Sequence, residues 1–474
     1  LTYTFATCIQ KEKHVIVAGN TGTGKSAYIT LWLQRDAPEN FMPLFINFSA
    51  QTHVNQLQDL LDSKFEKRRR GIYGPPAGKR NVIFVDDLNM PKKEYYGAQP
   101  PIELVRQWHD YRGWYNRKEL KMQEIIDIVH VSAMGPPGGG RTEISGRLKR
   151  HYNTIAAADM SRDSIAHIFR TIINYFFDQG FEASIQALQE SIVDRCITLF
   201  ELAGDELLPT PAKSHYTFNL RDIWKVFQGI CSLKSKKVSE PIVVVKCFCH
   251  ENIRVYGDRL TTPEDRDWFR SKLEDALKES FKIEPEKVFD RPRLIFGDFM
   301  GSSGGDAKFY TEIDDLAKMK ETMESQLDDY NNMYPVAMPL VMFTDACEHV
   351  ARICRVLRQP SGNALLLGVG GSGRQSLSRL ATFISEYTCF QIEVIKGYGM
   401  NEFKDDLKSC LMKCGNELKT QTFLFTDTQI VSEQMVEAIN NVLNTGDVPN
   451  LYKNEDLDSI AQACRAACQQ AGMQ

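Results

Sequence analysis

Residues Gly19–Ser26 read Gly-Asn-Thr-Gly-Thr-Gly-Lys-Ser and satisfy G-x-x-x-x-G-K-[ST] at every position. Glycines let successive backbone N–H groups turn toward phosphate oxygens, and a following helix N-terminus adds a favourable field. Gly19, Asn20, Thr21, Gly22, Thr23 and Gly24 would then form the cradle. Lys25 would reach the β- and γ-phosphates of ATP or ADP, and the Ser26 hydroxyl would hold Mg2+. Asp86 follows 61 residues after Lys25, at the end of the apolar run Val82–Val85, and Asp87 comes next. Asp86 is the expected magnesium carboxylate, and Asp87 the carboxylate that orients water or acts as base. Aspartate is one methylene shorter than glutamate, so the water must sit closer to the strand and hydrolysis is expected to be slow.

A second set with altered chemistry follows. Ala364–Leu367 leads into Gly368–Ser376 (GVGGSGRQS), and Phe423–Thr426 leads into Asp427-Thr428, 53 residues after Arg374. Gly368, Gly370, Gly371, Ser372 and Gly373 would form the cradle, closed by Arg374, Gln375 and Ser376. Arg374 stands where lysine is needed, a planar fork in place of a compact charge. Gln375 replaces the magnesium-binding hydroxyl, and Thr428 replaces the second carboxylate. Such a site should bind nucleotide better than it hydrolyses it. Gly368, Gly370 and Gly373 also fit G-x-G-x-x-G, with Glu393 about 20 residues on, which admits a dinucleotide alternative. The repeated acidic strand end argues against it.

Both loops need a strand before them and a helix after. His14–Ala18 and Ala364–Leu367 are the expected strands; AYITLWL (Ala27–Leu33) and LSRLATFI (Leu377–Ile384) are the expected helices. Buried apolar runs alternating with helical patterns predict a parallel sheet with flanking helices. Between the copies, Ile165–Phe177, Ile185–Leu202 and Arg221–Ile230 repeat apolar positions at helical spacing and predict a small all-helical subdomain. Ile313, Leu316, Met319, Met323, Leu327 and Tyr330 fit a helix, either packed on its own domain or in a short coiled coil. Gly74–Lys79 and Gly135–Arg141 look like phosphate loops but read as a loop and as a flexible turn after the apolar run Ile125–Ala133. The run Lys67–Arg70 reads as a solvated helix end or loop.

The 474 residues are too many for one core. A net charge of −4 gives no global case for nucleic acid or anionic membrane. No apolar stretch approaches the ~18 residues of a membrane span. Twelve irregularly spaced cysteines suggest reduced thiols in a cytosolic compartment. Cys247/Cys249/His250, Cys410/Cys414 and Cys464/Cys468 lack paired zinc-ligand spacing. The chain begins with Leu and no leader pattern, so it is expected to be a piece of something longer.

Together, GNTGTGKS, VIFVDDLNMP (Val82–Pro91), LLLGVGGSGRQSLSRLA (Leu365–Ala381) and FLFTDTQI (Phe423–Ile430) resemble the dynein heavy chain motor. The GRQS and TDTQ variants resemble its axonemal branch. The resemblance covers essentially the whole chain. It implies P-loop AAA+ modules of α/β class: a large subdomain at 1–160, a helical lid at 161–290, and a second, truncated large subdomain at 291–474. It implies an ATPase regulating microtubule-based movement of cilia or flagella, with neighbouring AAA+ modules of the same chain as partners. Intermediate and light chains and microtubules would be engaged by parts outside these residues. Arg147 and Arg150 resemble the arginine-finger region, and Arg221 the second sensor arginine. The first sensor, usually polar, falls at Gly135, which argues for weak catalysis. By the offset of Arg147 from Asp86, the finger serving the first site would lie beyond residue 474, so slow turnover is expected. The alternatives are ring modules that hold nucleotide structurally and a stand-alone remodelling ATPase.

Overall fold

The computed structural model describes residues 2–301, 308–446, 448, 451–470 and 472. They form two compact units: one of residues 1–159, 393–412 and 426–474, the other of residues 160–392 and 413–425.

The first unit is built on a five-stranded parallel sheet. Its spatial order is Phe41–Asn47, Arg80–Asp86, Ile128–Met134, Val15–Gly19, Asn153–Ala157. The central strands are near-continuous apolar runs because helices cover both faces. Val15, Ile16 and Val17 are inaccessible to solvent, as are Val82 and Val131. Parallel strands align their C-terminal ends, so the loops after Gly19, Asp86 and Met134 emerge side by side, where α/β proteins bind ligands. A four-stranded sheet of short strands flanks this layer. One of its strands is Glu66–Arg69, so the basic run is strand rather than helix end or loop. It turns back at Gly71 (φ +77°) to pair with Ile72–Gly74, and Arg68 is drawn to Asp127 at 3.3 Å.

The second unit contains the predicted helices. Arg162–Phe177, Leu220–Ile230 and Pro241–Val255 bury apolar faces in one core with Gln189–Glu206. The expected continuous helix at 185–202 is split, with a single turn at Ala183–Gln186 preceding the long helix. Helix Leu220–Ile230 is started by a reciprocal Asn219/Asp222 capping box. Leu316–Met333 packs within its own unit, burying Met319, Met323, Leu327 and Tyr330 in a core shared with Thr344–Arg358 and Arg374–Ile384. The packed-helix alternative is the one observed.

One predicted strand fails. Ala364–Leu367 joins no sheet, and Leu365 and Leu367 are 86% and 85% exposed. The first unit explains this, since its loop strand lies between Ile128–Met134 and Asn153–Ala157, both of which follow the acidic strand in sequence. After Asp427 the described residues contribute helices and no strand. The second unit holds two small sheets, a parallel pair of Thr388–Phe390 and Gln421–Phe423 and an antiparallel pair of Phe296–Gly297 and Thr311–Glu312.

Candidate nucleotide sites

Helix Lys25–Arg35 starts directly after Gly24, whose left-handed backbone (φ 76°, ψ 9°) closes the loop. Gly22 is also left-handed, at φ +90°. Only glycine adopts such geometry without a Cβ penalty. At the strand end, a Cβ on Gly19 would lie 2.3 Å from the Ala157 carbonyl oxygen, so no larger residue fits there.

Lys25 is only 9% exposed, and its Nζ donates to the carbonyls of Gly19 (2.8 Å) and Asn20 (2.6 Å) and to Thr23 Oγ1 (3.2 Å). Burial lowers its pKa, against the opposing pull of Asp86; Arg141 adds to the lowering. Thr23 Oγ1 donates to the Asn20 carbonyl at 2.9 Å, and Asn20 Nδ2 donates to both Asp159 oxygens at 3.1 and 2.9 Å. The ammonium is therefore held at the loop mouth by groups that an incoming phosphate can replace.

Asp86 ends its strand beside Ser26. Burial pushes its carboxyl up, while a hydrogen bond with Ser26 pulls it down and Asp87 raises it again. The Asp87 amide donates to Asp86 Oδ1 at 3.0 Å. Among the described residues no group of three or more His, Cys, Asp or Glu could hold a metal ion. The Ser26 hydroxyl and Asp86 carboxylate are hard oxygen donors suited to a magnesium ion whose remaining ligands are phosphate and water. The residue set fits the Mg-nucleotide that the motif implies.

The structure adds a residue the sequence had set aside. Arg141 donates through Nη1 to Thr21 Oγ1 at 3.2 Å and through Nη2 to Asp87 Oδ1 at 3.3 Å. The Gly135–Arg141 segment thus reaches two of the candidate residues as well as turning after the strand. Gly138, Gly139 and Gly140 all take positive φ to bring the arginine back. Its anchors are the Thr142 amide and hydroxyl, which donate to the Asn89 carbonyl at 2.9 and 3.1 Å, and Asn89 Nδ2, which donates to the Gly135 carbonyl at 2.9 Å. The available signal was position, a cation just past the strand adjoining the loop strand. A cavity of about 500 Å³ opens alongside, lined by Gly19, Asn20, Asn89, Gly135, Ala157 and Asp159 among others.

The other expected residues stand on other elements. Arg147 is exposed on the short helix Gly146–Lys149, while Arg150 is engaged by Asp110 at 2.7 Å in its own unit. Arg221 is exposed at the start of Leu220–Ile230, in the other compact unit.

The second loop keeps the backbone of the first. Helix Arg374–Ile384 begins after Gly373 at φ 75°, ψ 9°, and Gly371 has φ +79°. Gly368, Gly370, Gly371, Ser372 and Gln375 are exposed, whereas Arg374 and Ser376 are half-buried. The Thr428 amide donates to Asp427 Oδ1 at 3.1 Å, as Asp87 does to Asp86. Asp427 falls in the first compact unit and the loop in the second.

Three family models match: "P-loop containing dynein motor region" over residues 1–160, "AAA+ lid domain" over 192–289, and "P-loop containing dynein motor region D4" over 338–474. The last match overturns the dinucleotide alternative for Gly368–Gly373. The chain is 46% identical over 486 residues to Dynein axonemal heavy chain 1 of Mus musculus, covering all of this chain and 11% of that protein. It is 42% identical to Dynein axonemal heavy chain 3 of Homo sapiens, covering 98% of this chain and 12% of that protein. It is 43% identical to human Dynein axonemal heavy chain 6, covering 97% of this chain and 11% of that protein. The chain thus spans about a tenth of the length of these relatives, and it belongs to the dynein heavy chains, as a segment of their P-loop motor region.

Proposed function

We propose that this segment serves as an ATP-binding regulatory part of an axonemal dynein motor, working in the axoneme of cilia or flagella. The first site, Gly19–Ser26 with Asp86, binds Mg-ATP and hydrolyses it slowly; the second, Gly368–Ser376, binds nucleotide without efficient hydrolysis. The observation that carries this reading is the buried Lys25 at the mouth of a glycine cradle, with Ser26 and Asp86 paired beside it. In this reading Lys25 neutralises the β- and γ-phosphates, Ser26 and Asp86 hold the magnesium, and Asp87 orients the water. The magnesium would offset charge developing between the phosphates.

Residues 1–160, 161–290 and 291–474 would act as large subdomain, lid and second large subdomain. Arg221 would answer to the nucleotide of its own module. Of the two finger candidates, Arg147 is the one free to serve a neighbouring module, because Arg150 is engaged by Asp110. Microtubules and other dynein chains would be reached through other parts of the heavy chain. Gly135 and Thr428 favour a second reading, in which bound nucleotide never turns over and the modules are spacers.

Titration calorimetry with Mg-ATP and Mg-ADP tests the proposal. Lys25→Ala should abolish one binding event and Arg374→Ala weaken a second. Binding that survives Lys25→Ala unchanged would place the nucleotide elsewhere. Slow ATP turnover by the unaltered chain that disappears with Asp87→Asn would set the regulatory reading above the spacer one.

A further inference from the structure

Arg141 is set in a way that the fold alone does not require. Its guanidinium bridges the tip of the phosphate loop, at Thr21, and the carboxylate that follows the acidic strand, at Asp87. Its side chain is 24% exposed, so it is neither a solvated surface cation nor a core residue. Both contacts are long for charge-assisted hydrogen bonds, which are ordinarily about 2.7–2.9 Å. Its Nε is buried without a partner. The arginine is thus incompletely satisfied, with donor capacity left over.

The backbone makes room for it. A Cβ on Gly135 would lie 2.9 Å from both Cδ and Nε of Arg141. The bare glycine therefore provides the floor on which the guanidinium lies. The loop ends are fixed by mutual Gly138/Arg141 backbone hydrogen bonds of 3.0 Å and by Thr142 on the Asn89 carbonyl. These anchors fix the base of the side chain, so that only its guanidinium end has to change partners.

Asp86, Arg141, Asp87 and Asp159 all lie near enough to Lys25 to act on its charge. A third phosphate group beyond the β position would enter this space with roughly two negative charges. It would compete with Asp87 for Arg141, whereas a nucleoside diphosphate would not reach that far.

We infer that Arg141 is a phosphate-sensing residue of its own module, latched on Asp87 and Thr21 when no third phosphate is present and drawn onto the terminal phosphate of a bound nucleoside triphosphate. This rests on the reading of Gly19–Ser26 as a nucleotide site. Release of Asp87 is the consequence: the carboxylate becomes free to orient water only when a triphosphate occupies the site. Arg141 thereby makes the site discriminate between triphosphate and diphosphate without an arginine from a neighbouring module.

The test is calorimetric binding of a non-hydrolysable Mg-ATP analogue and of Mg-ADP to the unaltered chain and to Arg141→Met. The methionine keeps the stem and removes the charge. The affinity for the analogue should fall roughly tenfold or more, the worth of one hydrogen bond to a charged group. The affinity for ADP should stay within about twofold on the same reasoning. Hydrogen exchange should show residues 136–144 responding to the analogue and not to ADP, and that difference should vanish in the variant. If Arg141→Met does not fold, Arg141→Gln supplies the same comparison with a polar, uncharged side chain. An unchanged analogue-to-ADP ratio, or an equal loss for both, overturns the sensing role while leaving the nucleotide site intact. Failure of the folded, unaltered chain to bind either nucleotide at Lys25 overturns the site reading, and this inference falls with it.

Discussion

Replacing Arg355 with methionine should be among the most damaging single changes outside the nucleotide loops. Glu251, on helix Pro241–Val255, has no solvent exposure. Arg355, on Thr344–Arg358, donates through Nε to both of its oxygens at 3.2 and 3.0 Å and through Nη2 to Oε2. Tyr310 donates at 2.6 Å, and His250 Nδ1 lies 3.1 Å away. Burial by itself would push the Glu251 carboxyl up, but Arg355 and His250 outweigh it and hold the group well below the ordinary carboxylate range. Methionine fills the volume and removes the cation, stranding a buried carboxylate at a cost of about 3–5 kcal/mol. For a unit of this size that is a fall in Tm on the order of 10 °C. In the unaltered chain the depressed pKa contributes stability above the unfolded value of about 4.3, which is lost as pH falls toward the folded value. In the variant the folded pKa is raised, so the penalty is greatest at neutral pH and shrinks on acidification. Calorimetric unfolding at pH 7.5 and 4.5 should show the gap between the two proteins closing in acid. Arg355→Met/Glu251→Leu should regain most of the loss. A single variant within about 1 kcal/mol of the parent, or a gap indifferent to pH, would refute the reasoning.

Two further outcomes follow from buried groups. His14, His109, His130 and His151 cluster with Trp108 and Tyr152, with ring centroids 4.6 Å apart for His14–His109 and 5.0 Å for His109–His130. Burial lowers the pKa of His14 to about 4 and holds His109 and His130 well below the ordinary histidine value. These rings stay neutral in the folded state while the unfolded chain takes up protons, so stability of the first unit should fall from about pH 6.5 downward by about 1.4 kcal/mol per pH unit for each such histidine, with the His14 contribution levelling off below pH 4. Denaturant midpoints between pH 7.5 and 5 measure the slope, and a flat profile contradicts it. Gly229→Ala should destabilise the second unit by about 2 kcal/mol or more, because its Cβ would lie 1.7 Å from Glu251 Oε2, in a core with no slack; thermal unfolding of the two proteins decides it.

What could be read from sequence was what local pattern determines. The parallel strands at Val15–Gly19 and Arg80–Asp86 are apolar on both faces and sit where the runs end in chemistry-bearing residues. The glycine loops and the lid helices are equally local. What could not be read depends on partners distant in the chain. Ala364–Leu367 has strand composition, but a strand exists only where neighbours supply hydrogen bonds, and none of the described segments does so. Lys67–Arg70 looks solvated until Ile72–Gly74 and, beyond it, Met122–Ile125 give it a sheet to join. Arg141 sits 54 residues from Asp87 in sequence, and only the parallel register that sets Ile128–Met134 beside both Arg80–Asp86 and Val15–Gly19 brings the two together.

The two loops separate binding from chemistry. Their closing glycines differ by one degree in φ and share the same ψ, and both acidic residues accept from the next backbone amide at 3.0–3.1 Å. The turn that closes each loop is therefore nearly the same, although the strand Val15–Gly19 before the first has no counterpart before the second. Anion binding draws on N–H groups and a helix N-terminus, which any sequence with the right glycines supplies. Hydrolysis draws on a compact cation, a magnesium-holding hydroxyl and a water-orienting carboxylate, which are side chains. The second loop replaces all three, by Arg374, Gln375 and Thr428. The first retains all three and surrounds them with groups that compete for the same charges: backbone carbonyls on Lys25 and Arg141 on Asp87. On the proposed reading, hydrolysis at the first loop would be limited by how readily a nucleotide displaces those internal partners, whereas at the second it would be limited by the side chains that Arg374, Gln375 and Thr428 replace.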